Sequence, residues 1–423
     1  MNSILIKKST IANTAFVTLV LGVIIASTFE TLNYHVLYHR FFPVASGVLL
    51  FFMVSIIPGE RNQVSQLFNL FLIYLLINIV FTSSLAIFTT VASLIPFCIL
   101  NSKISYKTWD ILLKLFEVFT VIAIFSLIFQ LVAMPAWKSF MEEIYPADQL
   151  TYIFYRAEIE KYGSGMFYDP AILAGVIVFG FCAYIGTHKL QTLKEYVIPI
   201  AFLLFIFLTG KRGHFFSLIA AIFIFAIINI NRFVSRKVLR NFFLNILVVV
   251  AFLSFVSVFV QVEIDFSSFR ISVMQSKEIS ALGDLNGRAL FWVKALRCFF
   301  DHPVMGIGWK NFASLAGEGN HAHNIYLQLL AETGSFGFIL FIIAAITALI
   351  KTIKLQKKGH GTTYLRGAMI YQFFFLIYGM SGNPLFDSFY FIPYIVSVGI
   401  VVTEIRYNRR QEKYGEKYRS LHL

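Results

Sequence analysis

Long apolar runs follow one another along this chain, separated by short charged or Gly/Pro-marked breaks. Marked off by those breaks, the runs fall at about 11–29, 41–58, 66–82, 84–100, 111–134, 170–187, 195–209, 214–230, 242–262, 335–350, 367–381 and 389–404. About 20 helical residues cross ~30 Å of hydrocarbon, so the pattern predicts twelve transmembrane helices. The third and fourth runs are parted by only a very short turn, which leaves that boundary soft. The first run follows Lys7 and Lys8 without a small-residue cleavage pattern, and it reads as a retained span. With no soluble domain appended and no internal repeat, residues 1–423 read as a single integral membrane domain.

Composition sharpens this picture. Hydrophobic residues make up 58% of the chain and charged residues 13%, with 48 Phe; an ordinary soluble domain carries about 25% charged residues. A soluble globular enzyme, a coiled coil and a disordered chain are thereby excluded. The net charge of +13 in a soluble protein would suggest nucleic acid; in a polytopic one it suggests basic cytoplasmic loops, and no nucleic-acid partner is expected. With a cytoplasmic N-terminus and all twelve spans, the cytoplasmic side holds 23 Lys/Arg and 7 Asp/Glu, the outer side 12 and 15. That asymmetry of +16 against −3 puts both termini in the cytoplasm. Cys98, Cys182 and Cys298 are far apart and follow no metal-ligand spacing, so neither a disulfide framework nor a metal site is expected.

This topology leaves outer loops at about 135–169 and 263–334, and a short outer turn, TGKRGH, at 209–214. A basic turn on the outer side runs against the trend, which makes it a functional candidate. Lys114 and Glu117, three apart in the fifth span, read as a structural pair near the cytoplasmic interface.

The densest polar segment is the second outer loop. It carries Gly287-Arg288 with Trp292, Asp301-His302-Pro303 with Gly306-x-Gly308, and His323-Asn324 followed after nine residues by Gly334 and Gly337. With these pieces the sequence resembles the O-antigen polymerase/ligase family, the Wzy-type polymerases and lipid A-core ligases. The resemblance extends to TGKRG at 209–213, where the family usually has Thr followed by Ser-Arg-Gly and Lys211 stands for the Ser, and to GMFYDPA at 165–171. It implies an all-α, GT-C-like polytopic protein whose large periplasmic loop contains short helices. The activity it implies is transfer of a glycan from undecaprenyl diphosphate to a saccharide acceptor at the outer face of the bacterial inner membrane, with no cofactor or metal. The acceptor would be a lipid-linked repeat unit or lipid A-core, and a chain-length regulator protein joins the lipids as an implied partner.

The residue types suit that chemistry. A sugar hydroxyl loses its proton as it attacks the anomeric carbon, which calls for a base with a pKa near ambient pH. His323, near the start of a predicted amphipathic helix, fits; the positive end of a helix dipole favours the neutral ring. The departing lipid diphosphate develops charge, and guanidinium groups meet it with bidentate hydrogen bonds. Arg212 and Arg288 are the expected diphosphate ligands, with Arg156 and Asn324 as further substrate contacts. Plainer readings stand beside these. His321 rivals His323 two residues away, and only the family register separates them. His302 fits a turn before Pro303; Arg288 also suits a helix cap or a pair with Asp284; Arg212 suits a snorkelling helix end; Arg156 suits a loop surface charge. Asp169-Pro170 reads as the start of the sixth span, and Glu332 as the end of a loop helix with Gly334 as its C-cap.

Three functions compete. Two are enzymes, a polymerase of lipid-linked repeats of O-antigen, capsule or exopolysaccharide and an O-antigen ligase. The third is a non-catalytic polysaccharide-lipid flippase. A flippase would concentrate charge inside its spans, whereas here polar residues gather in one outer loop, which favours the enzymes. The Phe167-Tyr168-Asp169-Pro170-Ala171 stretch leans toward polymerase.

Overall fold

The computed structural model describes residues 2–29, 58–81, 95–229, 288–317, 319–358 and 362–420. The runs read at 41–58 and 242–262, most of the run at 84–100 and the 263–287 part of the outer loop lie outside the described residues. Within them all regular structure is helical apart from one isolated bridge, Pro58 with Ser102. The helices are α1 (Asn2–Thr28), α2 (Gln63–Phe81), α3 (Tyr106–Val132), α4 (Met134–Ile144), α5 (Ala147–Glu158), α6 (Pro170–Thr187) and α7 (Val197–Leu208). They continue as α8 (Arg212–Ile228), α9 (Arg288–Asp301), α10 (Phe312–Leu315), α11 (Ile325–Lys358), α12 (Tyr364–Tyr378) and α13 (Ser388–Ser420).

Four of these segments, Tyr106–Val132, Pro170–Thr187, Ile325–Lys357 and Ser388–Glu412, are long and apolar enough to cross a membrane. Shorter apolar helices, Ala12–Thr28, Gln63–Asn78, Val197–Leu208 and Arg212–Ile228, stand beside them. Their exposed faces are as apolar as their buried ones. Leu115, Val118, Ile122, Phe125 and Phe129 line the outside of α3, and Ile339, Ile343, Ile346 and Ile350 the outside of α11. Stripes of large apolar residues at helical spacing on the outer surface mark contact with lipid rather than water.

At the centre lies α6, buried along nearly its whole length between α3 and α12. Its start is written in the sequence: Asp169 Oδ1 accepts the Ala171 N–H at 2.6 Å and Pro170 occupies the first turn. Close approach of α12 depends on Gly367, where a Cβ would overlap the Cys182 carbonyl. In α11, Gly334 (φ 64°, ψ −170°) leaves helical geometry, so the loop helix ends there as expected and a second helical stretch follows directly across the kink.

Polar residues gather at two opposite ends of the bundle. At one, the Arg406 guanidinium donates to the carbonyls of Glu60, Leu100 and Ser102 at 2.7–2.9 Å, and Glu404 accepts from Tyr106 and Thr362. The pairing expected of Lys114 with Glu117 is corrected here. Lys114 bridges to Asp110 at 2.8 Å, one turn away, while Glu117 accepts from Thr187 on α6. Glu117 thus ties two helices together instead of bracing its own. The candidate site occupies the other end.

Candidate active site

The kink at Gly334 builds the frame of the site. Breaking the helix there frees the carbonyls of Ala331 and Glu332, which accept the N–H groups of Ile307 and Gly308 at 2.9 Å each. The Pro303 carbonyl accepts the Ser335 N–H at 2.8 Å. A Cβ at Gly334 would overlap the Val304 carbonyl, and one at Gly306 the Glu332 backbone, so the spacing His323-Asn324-x9-Gly334 and the Gly306-x-Gly308 pair serve one joint. From α2, Asn78 donates to the Met305 carbonyl and accepts the Trp309 N–H, both at 2.8 Å. The fully buried Glu332 carboxylate accepts the N–H groups of Lys310 (2.6 Å) and Phe312 (3.1 Å). Its work is to hold this loop.

On that frame sits the histidine turn. His323 has φ 50°, a left-handed conformation that costs a non-glycine residue roughly 1–2 kcal/mol. Both flanks hold it there. Ala322 donates its N–H to Gln328 Oε1 at 3.0 Å, and its carbonyl accepts from Trp292 Nε1 at 2.9 Å. On the other side Asn324 Oδ1 accepts the N–H groups of Tyr326 (3.0 Å) and Leu327 (3.1 Å). Asn324 is therefore the N-cap of α11, and its amide reaches the Met380 carbonyl at 3.4 Å. Burial, then the charges of Arg288, His321 and Lys211, hold the His323 pKa down to about 4. The ring is neutral, as its place ahead of a helix suggests, but burial and neighbouring cations are the causes.

His321 differs. Gln328 Nε2 donates to its Nδ1 at 2.9 Å and to Glu332 Oε1 at 3.0 Å. With its Nδ1 lone pair engaged, neutral His321 presents an N–H at Nε2 and has no ring nitrogen left to take a proton.

The cations come from separate elements. Arg288, the first described residue of α9, donates to the Ser381 carbonyl at 3.1 Å. Arg212 opens α8, and a Cβ on the next residue, Gly213, would meet Tyr378 and Ser381 at 3.4 and 3.5 Å. The start of α8 is anchored by His214, whose Nε2 meets the Tyr390 hydroxyl, which itself donates to the Ala171 carbonyl at 2.7 Å. Lys211 lies 3.3 Å from Asp169 Oδ1. Burial pushes the Asp169 carboxyl up, but Lys211, the Ala171 N–H, Tyr152 and Arg156 outweigh it and leave the pKa below its ordinary value. Arg156 pairs with Glu160 at 2.5 Å, stands 3.9 Å from Asp169 and lies over Tyr162 at 4.7 Å.

His323, Asn324, Arg288 and the start of α8 thus meet around residues 379–381, while Arg156 stands one step back behind Asp169 and Lys211. Two participants are absent from the sequence-based list. One is the segment Tyr378-Gly379-Met380-Ser381-Gly382, whose backbone carbonyls receive Ile325, Asn324 and Arg288. Its signal was the cluster of Gly379, Gly382 and Pro384 closing an apolar run. The other is the Lys211–Asp169 pair, for which two residues 42 positions apart gave no signal.

A helical bundle with lipid-facing stripes and cations around a buried imidazole at one end defines a membrane protein with a polar site at the end of its bundle. Residues 197–342 match the family model described as O-antigen ligase. The matched stretch covers Arg212, Arg288, His323 and Asn324 and leaves Arg156 and Asp169 outside. No curated protein matches the chain.

Proposed function

We propose that the protein is a membrane glycosyltransferase of the bacterial inner membrane that moves a glycan from undecaprenyl diphosphate onto a saccharide hydroxyl at the outer face, polymerising repeat units. The observation that carries this reading is the pinned, neutral His323 beside Arg288 and within the field of Lys211. An acceptor hydroxyl gives its proton to His323 as its oxygen bonds to the anomeric carbon. The bond from that carbon to the diphosphate breaks, and the lipid diphosphate leaves with the electron pair. Arg288 and Arg212, carried by two separate helices, meet the developing charge with fixed guanidinium groups. Lys211, screened by Asp169, adds positive potential without crowding the leaving group. A bound diphosphate raises the His323 pKa by its negative charge, bringing the base toward ambient pH when substrate arrives.

The acid-bearing stretch Phe167–Ala171 favours a lipid-linked repeat unit as acceptor. The match to a family model described as O-antigen ligase favours the ligase reading, with lipid A-core as acceptor. The test offers purified protein in liposomes undecaprenyl-diphosphate oligosaccharide together with either acceptor. A ladder of lengthening lipid-linked products supports the polymerase. Label appearing only on lipid A-core supports the ligase, and transfer to neither contradicts the proposal.

A further inference from the structure

Gln328 sits one turn into α11, fully buried, and each polar valence of its amide is engaged. Oε1 accepts the Ala322 N–H at 3.0 Å; the two Nε2 hydrogens go to His321 Nδ1 at 2.9 Å and Glu332 Oε1 at 3.0 Å. The backbone donor at Ala322 fixes the amide orientation, because the opposite orientation would point NH₂ at an N–H. Glu332 holds Gln328 in place while its carboxylate also holds Lys310 and Phe312. On the far side of the same residue, Trp292 from α9 donates to the Ala322 carbonyl at 2.9 Å. Ala322, the residue preceding His323, is thus gripped through both of its backbone polar groups by side chains from two helices, and α9 is also the helix that carries Arg288.

We propose that Gln328, with Trp292, is a positioning residue that fixes the left-handed His323 turn against Arg288 and makes His321 an obligate hydrogen-bond acceptor. This inference rests on the reading of His323 as the base. Neither side chain acts on substrate directly; each acts through the backbone of Ala322. Displacing a reacting group by about 1 Å can cost 10²-fold in rate, so the effect belongs in kcat, with the lipid-diphosphate KM left to the arginines. The groups facing His323 are Arg288 from α9, His321 from its own loop and Lys211 from the turn before α8, and Lys310 faces His321. A loosened turn admits water to the imidazole and moves its pKa up toward the ordinary value.

The experiment measures kcat, KM for undecaprenyl-diphosphate oligosaccharide and the acid limb of the pH–rate profile for Gln328→Leu, Trp292→Phe, the double variant and His323→Ala. Rates are taken per folded protein, in liposomes. Expected are a kcat loss of up to about 10²-fold for either single variant, KM near wild type, and an acid limb displaced to higher pH. The double variant should lose less than the two single losses multiplied, because both ties hold one residue. Unchanged kcat and acid limb in Trp292→Phe and in folded Gln328→Leu would overturn the positioning role. So would a rise in KM alone. An active His323→Ala would instead overturn the base assignment beneath it, which keeps the two failures apart.

Discussion

His321 and His323 flank the same alanine, yet hydrogen bonding gives them different chemistry. The His321 Nδ1 lone pair is occupied by Gln328, so His321→Ala should keep most of the transfer rate, read as product per folded protein. Arg288→Lys keeps the charge and loses the fork that reaches Ser381 and, in the proposed mechanism, the diphosphate. Product formation should fall about tenfold or more with the protein still folded, and full polymer length from the Arg212→Lys, Arg288→Lys double variant would contradict the diphosphate role. The pH dependence follows from burial. As the proposed base His323 acts unprotonated, and burial with the neighbouring cations holds its pKa down to about 4, so kcat/KM should be level from neutrality down to about pH 5 and drop as the ring protonates. An acid limb near 6.5 would mean an ordinary, solvated histidine. The residues on the single helix-proximal loop were legible because their chemistry is local in sequence. Asp169–Lys211 and the carbonyls at 379–381 were not, since only tertiary proximity joins them.

Element boundaries were most legible where a cap and an apolar run coincide. The sixth span was expected at 170–187 and α6 is Pro170–Thr187, because Asp169 and Pro170 punctuate its start. Gly334 was read as the end of the loop helix, and its non-helical backbone ends that stretch as expected; the joint built on it was not legible. The reason is the loop at 303–308, whose N–H groups take the freed carbonyls, a contact that sequence periodicity does not carry. Gly334→Ala should therefore be costly twice over, through a glycine-only backbone conformation and through overlap with Val304. A destabilisation of about 1–3 kcal/mol is expected in thermal unfolding in detergent, together with loss of transfer per folded protein. A variant with wild-type stability and rate would contradict the joint.

At the scale of the whole molecule, the polar groups among the described residues gather at two ends of the bundle. Loops read as outer, with residues 156–169, 209–214 and 288–324, converge at one end; those read as cytoplasmic, with residues 59–62, 101–110 and 404–410, converge at the other. An impermeant thiol reagent on intact cells should leave a cysteine at the exposed Lys357 unlabelled, and its labelling would reverse the orientation. The most direct test of the central claim is turnover by purified His323→Ala in liposomes supplied with undecaprenyl-diphosphate oligosaccharide and acceptor, beside wild type and His321→Ala. Loss of the base should lower the rate by about 10²–10⁴-fold with His321→Ala largely active; wild-type product from His323→Ala, at equal folded protein, would contradict the account.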